Sequence, residues 1–120
     1  MKIIIPISVG ELLDKISILQ IKSQHTDNPY VINELNDLIE IAKEKKVFNF
    51  EYFDKLLAVN QKLWKIEDKL REFEKSHIFN DEFINLARSV YITNDKRSRI
   101  KKQINESTNS ELREIKIYNN

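Results

Sequence analysis

Six side chains in the C-terminal half of the sequence could bind a small ligand, because they place polar groups on the apolar faces of two predicted helices. We call them the polar seam: Asn60, Trp64, Glu67, Arg71, Asn94 and Arg97. A short connection makes the two helices antiparallel neighbours, so we expect the seam residues of one helix to face those of the other. Buried polar groups without partners cost about 1–3 kcal/mol each, and the seam should therefore form one connected network.

Two interpretations of the polar seam stay open. In the first, its hydrogen bonds fix the register of the two helices and bind no ligand. In the second, it forms a polar pocket for a small anionic or nucleotide-like ligand. A cleft that opens onto Glu67 and Asn94 would favour the second interpretation, and a closed core would favour the first.

Carboxylates at helical spacing could hold Mg²⁺, as they do in helical nucleotide hydrolases. Glu11 and Asp14 are three residues apart, and four further carboxylates lie between 67 and 74. Such spacings also arise by chance in a chain with 32% charged residues, and Glu11 has the position of a capping-box residue after Ser8. A magnesium-dependent hydrolase stays an alternative, but we assign no metal ligand and no cofactor.

Nucleophilic catalysis has little basis in this composition. The chain has no cysteine, and His25 and His77 both fall in predicted polar connections. Gly10 is the only glycine, so a glycine-rich phosphate loop is excluded. We assign no catalytic residue and expect a protein without enzymatic activity.

A basic run at 96–102, KRSRIKK, could contact nucleic-acid phosphates. No aromatic residue is interleaved with it for base stacking, and Arg97 is predicted to point inward. The net charge of +1 provides no general attraction to nucleic acid. A solvated helix face explains the run more simply, and nucleic-acid binding is the second alternative function.

The composition predicts one mainly α domain over residues 1–120. One glycine and two prolines are too few for a turn-rich β protein. The longest apolar run, IIIPI, is too short to cross a membrane and is not part of a signal peptide. We therefore expect a cytoplasmic protein without a membrane partner.

The periodicity predicts four helices between two short strands. The predicted segments are a strand at 2–7, helices at about 8–23, 29–45, 51–75 and 81–106, and a strand at 112–118. Two short strands at opposite ends of a chain are marginal alone, so we expect them to pair. The predicted fold is an antiparallel four-helix bundle with a small two-stranded β element.

The first helix is apolar on two sides. Val9, Leu12 and Ile16 lie on one face, whereas Ile18 and Ile21 lie on the opposite face beside Asp14. Such a helix is packed between layers or meets a partner. We predict that Asp14, Ile18 and Ile21 form a partner surface, and a homodimer is the commonest way to cover one.

Four segments together resemble a family of short bacterial proteins known only as a domain of unknown function. They are ISVGELLDKISILQIK (7–22), VNQKLWKIEDKLREFE (59–74), FINLARSVYITNDKRSRIKKQIN (83–105) and SELREIKIY (110–118). The resemblance covers nearly the whole chain except 24–50. It implies no activity and no catalytic residues, but it implies an association with genes for cell-surface polysaccharide assembly.

From the residues and this resemblance we expect a non-catalytic interaction module, an accessory to cell-surface polysaccharide synthesis. It would act through a homodimer or another protein partner. A small-ligand or nucleotide-binding domain that uses the polar seam, with magnesium-dependent hydrolase activity, is the alternative.

Overall fold

The computed structural model describes residues 1–118, and four α-helices dominate it. They are α1 (Val9–Ser23), α2 (Pro29–Glu44), α3 (Phe50–Ser76) and α4 (Asp81–Ser107). All four predicted helices are confirmed, and their ends lie within one residue of the predicted ends. None of the helices within 1–118 combines the length and the apolar character needed to cross a membrane.

A short polar side chain begins each helix. The oxygen of each cap accepts a hydrogen bond from a backbone N–H of the first turn. These N-cap residues are Ser8, Asn28, Asn49 and Asn80. His77 caps the C-terminal end of α3, and its left-handed backbone (φ 54°) turns the chain toward α4. Local sequence therefore determines where the helices begin and end.

The helices pack around α1. It contacts α2, α3 and α4, while α3 and α4 pack on each other and α2 packs on α1 alone among the described helices. The core is formed by Leu12, Leu13, Ile16, Ala42, Phe53, Leu56 and Ile104. Burying a large aliphatic side chain contributes about 1.5–3 kcal/mol, so the two apolar sides of α1 explain its central position.

The α3 and α4 helices form an antiparallel pair that extends beyond α1. Contacts between Asn60 and Arg97 and between Phe73 and Phe83 establish the register of the pair. Each of these helices has 27 residues, whereas α1 has 15. At 1.5 Å per residue, α1 covers little more than half of their length. Phe79 adds a third ring to the aromatic contacts near the turn between α3 and α4.

The predicted two-stranded β element was wrong. Residues 2–7 and 112–118 contain no strand, and no backbone hydrogen bond joins them. The C-terminal segment is held on α4 by side-chain contacts from Glu114 and Tyr118. The N-terminal segment instead passes α2, where Lys2 contacts Asp37 at 3.4 Å. Because each segment is anchored to a different helix, the two do not meet within one chain.

Candidate functional site

A buried polar cluster lies where α1, α3 and α4 meet, and Asn60 is at its centre. The Asn60 Nδ2 group donates to Asp14 Oδ1 and to Ser17 Oγ, both at 2.8 Å. Its Oδ1 atom accepts a hydrogen bond of 3.2 Å from Arg97 Nη1. Ser17 Oγ in turn donates to the Asp14 backbone carbonyl at 2.7 Å. A single amide therefore links three helices, and both of its N–H groups have acceptors.

Lys101 forms the second half of this cluster. Its Nζ group lies 2.6 Å from Glu11 Oε2, 3.1 Å from Glu114 Oε2 and 3.8 Å from Asp14 Oδ2. Glu114 also pairs with Lys116. The ammonium group is thus surrounded by carboxylates from α1 and from the C-terminal segment, and these ion pairs hold that segment against α4.

The surroundings keep both Lys101 and Glu114 charged. Burial lowers the pKa of Lys101, but the Glu11 hydrogen bond and the charges of Asp14 and Glu11 outweigh it, and the pKa lies above its usual value. The hydrogen bond from Lys116 is the main cause that lowers the pKa of Glu114, with Lys101 adding to it. A general acid or base works best with a pKa near the operating pH. Both pKa values are shifted further from pH 7, so neither group is suited to proton transfer near neutral pH.

Side chains from α4 and from the segment that follows it close the N-terminal end of α1. Asn105 Oδ1 accepts from the Gly10 N–H at 2.7 Å, and Ser110 Oγ accepts from the Val9 N–H at 3.1 Å. Ser8 accepts from the third N–H, that of Glu11. The N-terminal N–H groups of a helix can bind anions when they are free. Three of them are occupied here.

Gly10 permits this close approach of α1 to α4. A Cβ atom at this position would lie 2.8 Å from the Lys101 carbonyl oxygen and 3.0 Å from Asn105 Oδ1. The first contact is shorter than real Cβ atoms allow, so a larger residue would push the helices apart. The only glycine in the chain is therefore used for helix packing.

The structure brings together only part of the polar seam. Asn60 and Arg97 meet as predicted, but Glu67 and Arg71 are exposed and line a shallow groove of about 360 Å³. In this turn of α3 the buried residue is Ile66 and not Glu67. The buried face of the helix is therefore displaced by one position from the predicted face. The expected contact between Glu67 and Asn94 is not formed, and one connected network was a wrong expectation for these residues.

Trp64 has a different partner from the one expected. Its ring stacks on His25, with centroids 4.6 Å apart and an interplanar angle of 14°. His25 lies in the connection between α1 and α2. The indole therefore packs against this connection and makes no hydrogen bond to the described seam residues.

Two of the three residues predicted as a partner surface lie inside the fold. Asp14 and Ile21 are buried within the chain, and only Ile18 keeps partial exposure. Intramolecular packing against α1 covers them, because α1 lies between the other helices. They do not form the surface that the sequence predicted.

Several residues near this cluster were not predicted from the sequence. They are Ser17, Lys101, Asn105 and Glu114. Lys101 and Asn105 follow Arg97 at intervals of four residues on α4, and this spacing is a signal that could have identified them. Glu114 gave no comparable signal, since it lies outside the helices in a segment whose position depends on the tertiary fold.

Two adjoining cavities open beside the C-terminal segment. The smaller one has a volume of about 270 Å³ and is lined by Asn94 and Arg97 among others. The larger one has a volume of about 500 Å³, and its lining includes Arg99, Lys102 and Arg113. Both cavities share a set of lining residues: Asp95, Ser98, Lys116 and Tyr118. The Asn94 side of the polar seam therefore opens to solvent.

The basic residues at 96–102 lie on two different faces of α4. Arg97 and Lys101 turn toward the buried cluster, whereas Lys96, Arg99 and Lys102 are exposed. Within residues 1–118, no group of three or more histidine or carboxylate side chains could hold a metal ion. The predicted carboxylate pair of Glu11 and Asp14 instead contacts Lys101.

Comparison with known proteins identifies a family but no characterised relative. The model of a family described as "Family of unknown function (DUF6165)" matches residues 1–120. No curated protein and no solved structure matches the chain. The chain belongs to this family of unknown function, as the resemblance of its four segments implied.

Proposed function

We propose that this member of the DUF6165 family is a non-catalytic interaction module that self-associates through the terminal segments outside its helices. One observation supports this most strongly. Ile3, Ile4 and Ile5 are 76%, 89% and 67% exposed, and their backbone groups have no hydrogen-bond partner within residues 1–118. A β-branched segment with unpaired backbone groups is a template for pairing with another chain.

The C-terminal segment offers a matching surface on a second copy. Glu114 contacts α4 through Lys101, while Ile115 and Ile117 are exposed. The two segments diverge within one chain because they are anchored on different helices. In a two-fold dimer, the N-terminal segment of each copy would pair with the C-terminal segment of the other, and such an interface closes on itself.

The polar groups of the cluster also support a non-catalytic role. Lys101 is engaged in ion pairs with three carboxylates, and the pKa shifts of Lys101 and Glu114 keep these two groups charged. Catalytic groups are instead tuned toward neutrality and directed at a site that substrate can enter. Of the carboxylates considered for Mg²⁺, Glu11 and Asp14 are engaged by Lys101, and those between 67 and 74 are exposed on α3. No group of three or more such side chains within residues 1–118 could hold a metal ion.

The setting of this function rests on the sequence, which favours the cytoplasm, and on the family resemblance, which implies the link to polysaccharide synthesis. We place the protein in the bacterial cytoplasm, as an accessory to cell-surface polysaccharide synthesis. Nucleic-acid binding is the weaker alternative, because only three of the five basic residues at 96–102 are exposed.

The proposal is tested by sedimentation velocity over a range of concentrations. We expect a dimer for the wild type and a monomer for Ile4→Pro, since proline removes a backbone donor that pairing requires. Ile4→Val is the matched control, because it keeps the donor and the β-branched side chain, and it should remain dimeric. A wild type that stays monomeric at every concentration would overturn the proposal, as would an Ile4→Pro variant that dimerises like the wild type.

A further inference from the structure

Arg97 is a half-buried cation without a described anionic partner. Its only hydrogen-bonded side chain within residues 1–118 is Asn60, a neutral acceptor, and it forms no ion pair there. A guanidinium group has five N–H donors, and one of them is used here. Arg97 therefore differs from Lys101, which is four residues away and is contacted by three carboxylates.

Arg97 lines the smaller cavity beside the C-terminal segment. The cavity holds about 270 Å³ and places several other polar groups beside the guanidinium. Asn94, Tyr91, Ser98 and Tyr118, whose side chains carry an amide and three hydroxyls, line the cavity together with Arg97. The Asn94 and Ser98 side chains make no hydrogen bond to any described residue, so they keep their capacity to bind a ligand.

The position of Arg97 is fixed before any ligand enters. Its bond to Asn60 anchors the guanidinium, because Asn60 is itself held by Asp14 and Ser17. A pre-oriented donor loses less conformational entropy on binding. Planar guanidinium groups bind carboxylates and phosphates through paired hydrogen bonds.

We propose that the Arg97 pocket, defined by Tyr91, Asn94, Arg97, Ser98 and Tyr118, binds the oxyanion group of a small ligand, either a carboxylate or a phosphate monoester. Its volume lies below the roughly 300–1,000 Å³ of common ligand pockets, so it accommodates the anionic group and not a whole nucleotide. The rest of the ligand would extend into the adjoining cavity of about 500 Å³.

Asp95 limits the charge of the ligand. Its carboxylate also lines the pocket and accepts the Tyr118 hydroxyl at 3.4 Å. Lys116 and Lys101 line the same pocket, but both are paired with Glu114. Since Arg97 is the cation without a described counter-charge, a singly or doubly charged group fits this pocket better than a polyphosphate.

Calorimetric titration of the full chain tests the proposal, with inorganic phosphate and acetate as separate probes at constant ionic strength. Saturable binding is expected for at least one probe, and the stronger probe distinguishes the phosphate from the carboxylate class. Arg97→Gln should weaken that binding by about tenfold or more, because it removes the charge-assisted bonds. Arg88→Gln is the matched control, since Arg88 is an exposed arginine of α4 outside both cavities, and its affinity should equal that of the wild type.

A second variant keeps the test decisive if Arg97→Gln fails to fold. Asn94→Leu leaves the bond between Arg97 and Asn60 in place and removes a donor from the pocket, so the affinity should fall by about threefold or more. The proposal is overturned if neither probe binds the wild type saturably, or if Asn94→Leu and every folded Arg97 variant bind as tightly as the wild type. Ligand binding is measured by calorimetry and dimerisation by sedimentation, so the failure of this proposal is distinguishable from the failure of the proposed function.

Discussion

The side-chain amide of Asn60 on α3 donates a 2.8 Å hydrogen bond to the carboxylate of Asp14 on α1, and the two residues are only 5% and 3% exposed. The carbonyl oxygen of the same amide accepts from Arg97 on α4. One neutral side chain thus connects three helices, because it bonds to a buried anion on α1 and to a half-buried cation on α4. This relationship supports a role of Asn60 in fixing the register of the three helices.

Replacing Asn60 with leucine should destabilise the fold. The variant leaves Asp14 and Arg97 without their shared partner, and losing hydrogen bonds to charged groups should lower the free energy of unfolding by about 2–3 kcal/mol. Urea denaturation followed by circular dichroism measures this change. Asn33→Leu, an exposed substitution on α2, is the control and should stay within about 0.5 kcal/mol of the wild type. Equal effects of the two variants would contradict the structural role of Asn60.

Replacing Lys101 with methionine should also lower the free energy of unfolding. The change leaves Glu11, Asp14 and Glu114 close together without their common counter-ion, and breaking a buried ion pair costs about 3–5 kcal/mol. Glu11 and Glu114 are partly exposed, so we expect the lower end of this range. Thermal or urea unfolding measures the loss. Lys102→Met alters the exposed neighbour and should have little effect; a similar loss in both variants would exclude a specific role for Lys101.

The same ion pairs predict a pH dependence with two limits. The pKa of Lys101 is raised above its usual value of 10.5, so its contribution is complete below about pH 10.5 and is lost as the pH rises through the folded-state pKa. The pKa of Glu114 is lowered below its usual 4.5, so its contribution is complete above about pH 4.5 and is lost as the pH falls through the folded-state pKa.

Unfolding free energies measured across this pH range test both limits. The alkaline loss should be smaller in Lys101→Met than in the wild type, because the variant lacks the titrating group. An alkaline loss of the same size in Lys101→Met would assign the effect to other lysines or tyrosines.

Gly10→Ala should destabilise the packing of α1 on α4. Alanine favours a helix over glycine by about 1 kcal/mol, but its Cβ would lie 2.8 Å from the Lys101 carbonyl oxygen. Overpacking of this kind costs about 1–3 kcal/mol, so we expect a net loss of about 1–2 kcal/mol in urea denaturation. Lys22→Ala, at an exposed position of the same helix, should have little effect. A more stable Gly10→Ala protein would show that the helices can move apart freely.

Thr93→Val should leave stability unchanged or raise it by up to about 1 kcal/mol. The Thr93 hydroxyl oxygen is buried and has no hydrogen-bond partner within residues 1–118, so valine removes an unsatisfied polar atom at nearly constant volume. Ser17→Ala provides the contrast. The Ser17 hydroxyl bonds with Asn60 and with the Asp14 carbonyl, and its loss should cost about 1–2 kcal/mol. A clear destabilisation by Thr93→Val would reveal a partner for that hydroxyl.

The helices could be predicted because their signals are local. Ser8, Asn28, Asn49 and Asn80 cap helices in the structure as short polar residues before periodic apolar segments should. The β element could not be predicted in the same way. The alternation in 112–118 predicted a strand, which these residues do not form. Strand pairing depends on where the two ends of the chain lie after α1 and α4 have packed.

The site was predictable only in part for a related reason. Helical spacing identified Asn60 and Arg97, which lie where three helices meet. The same spacing placed Glu67 one position away from the true inner residue, Ile66, because a small error in the assumed face separates a buried position from an exposed one. The contact between Glu114 and Lys101 joins an extended segment to a helix, and no periodicity relates them.

The sequence by itself determined the four helices and their ends. Capping, helix propensity and apolar periodicity act over a few residues, so one chain segment carries all of this information. Only the tertiary structure decided that Asp14, Asn60, Arg97 and Lys101 share one cluster and that the terminal segments remain unpaired. Hydrogen bonds and ion pairs between distant segments require distances and orientations, and these exist only once the helices have packed.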